Sequence, residues 1–547
     1  QRNYLLELES LDKRNQKIIE VSAKGPSWSD YLEQASKIET ITKQDVIDVA
    51  NKYLTNNYFD VKKKTGKYPN AKIEKPPFNA IEAANRDEES DYSKWLQTIE
   101  SANFTPRFLN FEEEGNARSI DNNKLVLLYH TVNEMNDVFN LTMKFEIGSR
   151  ELPTLQPLAS YLNYIGTDKY SVEEFNKKLQ ELGSTLSFNA SASQFTVSVS
   201  GFDNAFEETF ELITHFLTNL EADKSKLKKV VKERKLEDKA IRKSSDELSK
   251  AMAEKVRYGD NSNYLTRLSA KEINNSTAQQ LVLTLQRVLS TECHFHYSGT
   301  LTDTAVSGIL SNYFPVNGVI IDSANPIYRD GLTYPNAKVF FFNDSKATQS
   351  IVQAYLPGPT QSSVHDMFLS KLFNTYFGSG MSSLMFQEIR EFRSLAYRAS
   401  SSMDNPPLKL KDKSMRFNML LSTQADKTTD ALHALQSLLV DMPLSEKRLD
   451  AAKENLINQA QSAYPSFRDK TQRIAQYKQF GYTNDPNKQL VDEVTGISLK
   501  DLESFYKQHI QGQTVVYIVI GDKKKIDMTQ LQQIGEFEEM KLKDFLK

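Results

Sequence analysis

INNSTAQQLVLTLQRVLSTECHFHYSG, residues 273–299, sets out the unit that this chain repeats. Apolar residues recur in it at helical spacing, and it ends in a short run of residues that favour β-strands. The stretches ITKQDVIDVANKYLTNNYFDVKKK (41–64) and ISLKDLESFYKQHIQGQTVVYIVIGD (497–522) follow the same plan. Helix-capping residues open the three stretches, and these are Thr42, Asn275 and Ser498. The stretches begin 232 and 224 residues apart, which indicates repeated domains and not a short-period solenoid.

Other segments repeat in the same order. A strand–turn–strand pattern occurs twice, and so does a segment that passes from helical spacing to strand alternation. The paired segments are 124–148 with 337–358, and 175–201 with 386–422. We therefore predict an α+β fold in which residues 108–318 and 319–547 are two copies of one domain. Each copy should be a mainly antiparallel sheet with helices packed on one face.

The first repeat is incomplete. Residues 1–66 match only the last third of such a domain, and its preceding sheet is not in the chain. We expect its helices to leave an apolar face that another polypeptide or an upstream region covers. Residues 67–107 are rich in Pro and charge, and they predict an extended linker with one short helix. The chain opens QRNYLLELESLDKRNQ, without an initiator Met or an apolar signal core, as expected of a piece from within a longer protein.

Composition excludes several classes of protein. Hydrophobic residues make up 39% and charged residues 25% of the 547, which is enough for packed cores and a soluble surface. The net charge of −3 provides no basic field for binding nucleic acid. The single cysteine, Cys293, excludes an internal disulfide and a multi-cysteine metal site. The longest apolar runs, such as VVYIVI at 515–520, are far shorter than the roughly 20 residues of a membrane-spanning helix.

FQEIREFRSLAY, residues 386–397, carries the candidate site. Aligned with the first copy, it places Arg390 opposite Leu179 and Tyr397 opposite Leu186, to within one residue. A cation and a phenol would then replace apolar residues on a shared scaffold, as a site grafted onto one copy would. Surface arginines and strand tyrosines are also common without any function, so this pattern alone leaves both interpretations open.

The histidines are weaker candidates. His294 and His296 share one face of a predicted strand, but the repeat aligns them with Val516 and Ile518, which favours ordinary strand positions over a metal site. His365 stands beside an aspartate at the start of a helical pattern, without a second histidine within a turn. An ordinary first turn of a helix is the favoured interpretation there.

Familiar catalytic motifs are missing from the sequence. It contains no Walker loop, no G-x-S-x-G and no H-E-x-x-H. GSGMSS (378–383) lacks the rest of a dinucleotide fingerprint, and it predicts a helix end at Gly378 followed by a helix cap at Ser382 or Ser383. The lysine-rich stretch 224–243 mixes both signs of charge at helical spacing and predicts a solvated helix face.

FGSGMSSLMFQEIREFRSLAY, residues 377–397, resembles the C-terminal-half signature of a family of zinc peptidases. This is the family of pitrilysin, insulin-degrading enzyme and the mitochondrial processing peptidase. RYGDNSNYLTRLS (257–269) and ITKQDVIDVANKYL (41–54) are similar to the regions between helices in that family. The resemblance covers essentially the whole chain and is strongest over residues 365–522.

The resemblance implies four homologous α+β domains, arranged as two halves around a closed chamber. It implies that the N-terminal half binds zinc through an inverted motif, H-x-x-E-H, and a distant glutamate. It further implies that the C-terminal half contributes an arginine and a tyrosine seven residues apart, a spacing that Arg390 and Tyr397 match. Tyr397 would then donate to the negative oxygen of the reaction intermediate or to the substrate backbone, and Arg390 would hold substrate carbonyls.

The sequence departs from this family at the zinc motif. No H-x-x-E-H occurs in it, and LQPLASYLNYIGT (155–167), where an active domain would carry the motif, has neither His nor Glu. We therefore expect no metal ligand in this chain and a zinc cofactor on the N-terminal half. The expected partners are that half, in the same protein or as a separate subunit, and a peptide substrate.

Two functions stay open. The chain is either the C-terminal half of a zinc metalloendopeptidase that degrades peptides or unfolded chains, or a non-catalytic peptide-binding or scaffold subunit of the same fold. A nucleic-acid-binding function is disfavoured by the net charge of −3. The family resemblance favours the bacterial periplasm as the location, with the cytoplasm as the alternative.

Overall fold

The computed structural model describes residues 2–25, 27–64, 66, 90–100, 105–315, 328–360, 363–410 and 412–547. The described residues form two compact units, one built mainly from residues 7–106 and one mainly from residues 107–547. No helix within these ranges is both long enough and apolar enough to cross a membrane. Residues 67–89 and 101–104 of the predicted linker lie outside the described residues, and the short helix expected there is found at Asp91–Gln97.

Short helices precede the first sheet, and apart from residues 2 and 4–6 they belong to the first unit. They are α1 (Arg2–Glu9), α2 (Leu11–Lys24), α3 (Trp28–Leu32), α4 (Gln34–Glu39), α5 (Lys43–Tyr53) and α6 (Asp91–Gln97). Thr42 caps α5, as predicted, by accepting from the backbone N–H of Asp45. The strand predicted after α5 is not formed, because residues 57–64 have no regular structure and Phe59 is fully exposed. A strand needs neighbouring strands for its backbone hydrogen bonds, and the described residues of this unit supply none.

The first sheet domain alternates strands and helices. Its elements are β1 (Ala117–Ile120), β2 (Asn123–Val132), β3 (Val138–Phe145), α7 (Leu155–Tyr161), α8 (Val172–Glu181), β4 (Thr185–Ala190), β5 (Phe195–Phe202), α9 (Phe206–Thr218), α10 (Lys224–Ile241), α11 (Ser245–Tyr258), α12 (Asn263–Thr266), α13 (Ala270–Asn275), α14 (Ala278–Leu289), β6 (Cys293–Gly299) and α15 (Asp303–Tyr313). The cap predicted at Asn275 is wrong, since Asn275 ends α13. Thr277 caps α14 instead, in a reciprocal pair with Gln280.

The second sheet domain repeats this plan. Its elements are β7 (Lys338–Asn343), β8 (Gln349–Thr360), α16 (Val364–Phe377), a π-helix (Met385–Glu391), β9 (Ala396–Asp404), β10 (Ser414–Gln424), α17 (Thr428–Val440), α18 (Glu446–Gln461), α19 (Lys470–Phe480), α20 (Pro486–Val494), α21 (Leu499–His509), β11 (Val516–Gly521), α22 (Met528–Gln533), β12 (Glu536–Glu539) and α23 (Leu542–Phe545). Gly378 ends α16 as predicted. Neither Ser382 nor Ser383 caps the π-helix, which lacks a side-chain cap.

Five of the six strands follow the same order in the two sheets, which confirms the predicted α+β repeat. The orders are β1-β2-β6-β3-β5-β4 and β12-β7-β11-β8-β10-β9. Both sheets are mainly antiparallel, with a parallel pair at β2–β6 and at β7–β11. They differ at one edge, where β1 runs antiparallel to β2 and β12 runs parallel to β7. The boundaries predicted at 318 and 319 stay predictions.

Each domain packs its own helices on the inner face of its sheet. Alternate residues of the central strands point into that core, such as Phe295 of β6 and Val519 of β11. The outer face of each sheet is covered by a helix of the other domain. Helix α11 packs on β8 and β11, and α19 packs on β2. Because each domain covers the other, the two domains form one packed body.

Candidate functional site

Arg390 lies on the π-helix. In this segment the backbone N–H of Phe392 donates to the carbonyl of Gln387, five residues back, over 2.9 Å. Met385 and Ile389 face the core, and the side chain of Arg390 projects outwards with 40% of its surface exposed. A π-turn places one more residue in a helical turn than an α-turn does, and it is found disproportionately at functional sites.

A strained turn joins the π-helix to β9. Ser394 has a φ of +50°, in the left-handed region that non-glycine residues rarely adopt. The next residue, Leu395, donates its backbone N–H to the carbonyl of Ile389 over 2.9 Å, which ties the turn back to the helix. The turn therefore fixes where the chain enters the edge strand.

Tyr397 occupies a β-bulge on that edge strand. Arg398 pairs with Ser422 of β10 and Ala396 pairs with Thr423, so Tyr397 has no residue opposite it. Its side chain is 70% exposed, whereas Ala396 is buried. A bulge breaks the alternation of the strand and can turn a side chain towards a site. Among the described residues the Tyr397 hydroxyl has no hydrogen-bond partner, so it is free to bind a ligand.

The structure brings the two predicted site residues together. The guanidinium carbon of Arg390 lies 5.4 Å from the centre of the Tyr397 ring and 4.7 Å from that of Phe386. The Nε atom of Arg390 is 3.3 Å from a carboxylate oxygen of Glu391. The ring contacts and this ion pair position the guanidinium while leaving most of its donors open. An exposed cation beside an exposed phenol can hold a carbonyl or another negative oxygen.

In the first copy, the connection from the helix to the equivalent edge strand is three residues shorter. Leu179 and Ile389 correspond, because both are buried and both accept a backbone hydrogen bond from the residue that leads into the strand. The sheet register equates Leu186 with Ala399, since each pairs with an equivalent residue of the next strand. Leu186 lies seven residues after Leu179, whereas Ala399 lies ten residues after Ile389.

The predicted alignment of Arg390 with Leu179 holds to within the one residue allowed, since Ile389 corresponds to Leu179, whereas the alignment of Tyr397 with Leu186 is wrong by two residues. Both site residues lie in the expanded connection, which takes up its extra length as the π-helix, the turn at Ser394 and the bulge. Tyr397, which has no residue opposite it in the sheet, does not replace a leucine of the shared scaffold. Sequence reasoning missed this expansion and also missed Phe386, against which Arg390 packs. A count of residues between the two flanking buried positions would have revealed the added length.

The weaker candidates form no metal site. His294 binds a carboxylate oxygen of Glu292 over 2.9 Å, and His296 contacts the Thr471 hydroxyl over 3.1 Å. His365 lies 3.4 Å from a carboxylate oxygen of Glu493. Within the part of the chain that the structure describes, no group of three or more His, Cys, Asp or Glu side chains is placed to hold a metal ion. The donor set needed for a catalytic zinc is thus not present among these residues.

Sequence comparison finds a family match for part of the chain. Residues 314–456 match the family described as the Peptidase M16 inactive domain. This match confirms the resemblance to the C-terminal half of the pitrilysin family. The matched segment includes both Arg390 and Tyr397. A comparison with curated proteins finds no match.

Solved structures share the fold at low sequence identity. A peptidase M16 inactive domain from Pseudomonas fluorescens has a TM-score of 0.58 at 16% identity, covering 75% of this chain and 98% of its own. The periplasmic protease PqqL from Escherichia coli has a TM-score of 0.56 at 15% identity, covering 90% of this chain and 52% of its own. The ferredoxin protease FusC, solved with Arabidopsis ferredoxin, has a TM-score of 0.56 at 12% identity, covering 94% of this chain and 58% of its own. The chain thus spans about half the length of these two proteases.

Proposed function

We propose that this chain, whose residues 314–456 belong to the M16 peptidase inactive-domain family, is the C-terminal half of a zinc metalloendopeptidase. It would supply the substrate-holding side of an active site whose metal-binding side is on an N-terminal half. The observation that carries the proposal is the contact between the Arg390 guanidinium and the Tyr397 ring, on a connection that is three residues longer than its counterpart in the other copy.

Tyr397 is suited to stabilise developing negative charge. Attack on a peptide carbonyl converts its oxygen into an oxyanion, and a donor aimed at that position lowers the barrier. Removing one such donor typically costs about 2.7–4 kcal/mol. The exposed phenol on the bulge has the reach and the free O–H for this role.

Arg390 is suited to bind the substrate backbone. Its guanidinium is permanently charged and presents a planar fork of donors, which matches carbonyl oxygens held at a fixed spacing. The ring faces of Phe386 and Tyr397 limit the positions that the guanidinium can take. This restriction reduces the entropy that the side chain loses when substrate binds.

The first unit supports an N-terminal half as partner. The apolar residues of α5 are exposed, including Val46 at 59%, Val49 at 57% and Tyr53 at 69%. In both complete copies the equivalent helix packs on its sheet, and the strand that follows is central in that sheet. A further sheet from the N-terminal half would cover α5 and pair with the exposed segment around Phe59.

The zinc ion belongs to that partner in this proposal. The described residues of this chain do not provide a metal-binding set. The coverage of about half of PqqL and FusC is consistent with a division of the active site between two halves. A peptide or an unfolded chain is the proposed substrate.

The direct test is Tyr397→Phe in the complete assembly. This change removes only the hydroxyl, and we expect kcat for peptide cleavage to fall about tenfold to a thousandfold with zinc content unchanged. Tyr92→Phe, at another exposed tyrosine of this chain, is the matched control and should leave kcat unchanged. Full activity in Tyr397→Phe would rule out the assigned role.

A non-catalytic peptide-binding or scaffold subunit is the second candidate. The matched family is described as an inactive domain, which supports this second candidate. Metal analysis of the complete assembly separates the two candidates. About one zinc per assembly supports the peptidase, whereas an assembly without zinc that still binds peptides supports the scaffold. A periplasmic location is part of the peptidase proposal, by analogy with PqqL.

A further inference from the structure

A cavity of about 490 Å³ lies between the outer face of the first sheet and α19. The sheet contributes Lys144, Glu146, His294 and His296, and the start of α19 contributes Asp469 and Arg473. Its size falls within the usual range for sites that bind small molecules. The cavity lies on the first sheet, whereas Tyr397 lies on the edge strand of the second sheet with Arg390 beside it. The cavity is therefore not part of the proposed active site.

The second copy has no counterpart of this cavity's polar lining. The register of the sheets equates Lys144, His294 and His296 with Tyr355, Val516 and Ile518. In the second copy these positions are buried in an apolar cluster, where α11 seals the outer face with Met252 and Val256. The same scaffold thus forms a closed apolar contact at one interface and a polar cavity at the other. Packing alone does not require the polar residues, because the second copy packs without them.

His296 and Lys144 line the cavity without a full set of polar partners. His296 is only 4% exposed, and its Nδ1 atom contacts the hydroxyl of Thr471 over 3.1 Å. Its Nε2 atom has no hydrogen-bond partner among residues 105–315, 328–360 and the other described ranges. The half-buried Lys144 has no carboxylate within 4 Å in the same described part of the chain, and Arg473 is exposed at the rim, where its guanidinium lies 5.9 Å from the centre of the Tyr477 ring. Because buried polar groups are normally paired, the open nitrogen of His296 indicates a missing ligand.

The acidic groups of the cavity are already engaged. Glu146 accepts hydrogen bonds from the side-chain amides of Gln194, over 2.8 Å, and Gln479, over 3.0 Å. Asp469 accepts from the hydroxyl of Ser466 over 2.7 Å. Burial lowers the pKa of Lys144, and the charges of Glu146 and Asp469 offset only part of this effect. Because the acceptors of Glu146 and Asp469 are already occupied, the groups of the cavity that stay open are hydrogen-bond donors, which favours a ligand with acceptor oxygens.

We propose that this cavity binds a small carboxylate. Lys144 and Arg473 supply the opposite charge. We assign to His296 the neutral tautomer with its proton on Nε2, so that the hydroxyl of Thr471, 3.1 Å from Nδ1, donates to Nδ1 and the Nε2 N–H donates to the ligand. The carboxylate is either that of a free organic acid or the C-terminus of a short peptide, since both present the same group.

Isothermal titration calorimetry of the full chain tests the proposal with three probes: glycylglycine, its C-terminal amide, and acetate. A Kd at or below about 1 mM for a carboxylate probe, with no binding of the amide, supports it. Binding of acetate as tight as that of glycylglycine identifies a free acid as the ligand, and tighter binding of glycylglycine identifies a peptide end. Equal binding of glycylglycine and its amide, or no binding of either carboxylate, overturns the proposal.

Two variants locate the binding. Lys144→Met should weaken binding of the carboxylate probe about tenfold to a hundredfold, because a charged hydrogen-bonding partner is lost. His296→Ile introduces the residue found at this position in the second copy and should weaken binding of the probe as well. Lys371→Met, at a half-buried lysine of α16 outside this cavity, is the matched control and should bind as the parent does. Circular dichroism melting confirms that each variant is folded. Unchanged affinity in a folded Lys144→Met protein overturns the assignment.

Discussion

At Ser394 a single residue sets the path of the chain between the two proposed functional side chains. Its φ of +50° places Leu395 where it can bond back to Ile389, and the strand then begins at Ala396. The first copy has Gly183, with a φ of +63°, just before its own strand. A serine costs more than a glycine in this conformation, so strain is retained next to the candidate site.

Relief of this strain is testable with Ser394→Gly. We expect the variant to raise the free energy of unfolding by about 0.5–1 kcal/mol, because glycine adopts a positive φ without a steric penalty. Urea unfolding measures the change. Ser437→Gly, in the middle of α17, is the control and should lower the free energy by about 0.5–1 kcal/mol. A loss of stability in Ser394→Gly would show that the turn is not strained.

Arg390 and Arg393 provide a matched pair for testing substrate binding. Arg393 is exposed and Arg390 is half-buried, and only Arg390 contacts Tyr397, while Arg393 lies 3.9 Å from a carboxylate oxygen of Glu388. In the complete assembly, Arg390→Lys should reduce kcat/KM for peptide cleavage about tenfold, since lysine lacks the planar fork. Arg393→Lys should leave it unchanged. Equal effects of the two changes would contradict the role of Arg390.

At the scale of elements, the repeat was predictable and the site's local geometry was not. Spacing and alternation reveal helices and strands, so the two copies and their strand pairs follow from the sequence. The π-helix and the bulge at Tyr397 depend on three additional residues that must be accommodated between fixed ends. No periodic pattern marks such an insertion, and its position is settled only by which residues the core buries. The prediction of a strand after α5 was wrong for a related reason, because a strand forms only where neighbouring strands can pair with it.

Helix α13 yields a prediction about pH. Backbone and side-chain hydrogen bonds from Ser269, and an ion pair with Lys547, lower the pKa of Glu272 from 4.5 to about 2. A carboxyl whose pKa is lowered by folding stabilises the protein above its unfolded pKa and loses that effect as the pH falls towards its folded pKa. Glu272→Gln should therefore reduce the free energy of unfolding by about 0.5–1 kcal/mol at neutral pH, a modest value because the group is exposed.

Urea unfolding at several pH values from about 7 to about 3 measures this difference. The gap between parent and variant should shrink as the pH falls below 4.5 towards 2. A gap that stays constant over this range would show that the charge of Glu272 does not stabilise α13. Ser269→Ala, which removes the reciprocal cap, should show a similar loss at neutral pH.

At the scale of the whole molecule, the exchange of covering helices joins the two sheet domains. Arg468, just before α19, donates to the hydroxyl of Ser298 over 3.1 Å and to the backbone carbonyl of Val138 over 3.0 Å. Arg398 makes a second interdomain contact, an ion pair of 2.6 Å with Asp246 at the start of α11. The first contact is partly buried and the second is exposed, so their contributions to stability should differ.

Arg468→Ala should lower the free energy of unfolding by about 1.5–3 kcal/mol, because partly buried acceptors lose a charged donor. It should also separate the unfolding of the two domains into distinct transitions in calorimetry. Arg398→Ala, the exposed counterpart, should cost about 0–1 kcal/mol and keep a single transition. If both variants unfold like the parent, the interdomain contacts do not couple the domains.

The exchange of helices also bears on the order in which a ribosome makes the chain. The first sheet is complete by Gly299, but its covering helix α19 begins only at Lys470. Until then its outer face exposes polar groups such as His296 and Lys144, which water tolerates. The apolar outer face of the second sheet appears last, when α11 has long been synthesised. The apolar outer face of the second sheet, which is prone to aggregation, is thus synthesised only after α11, the helix that covers it.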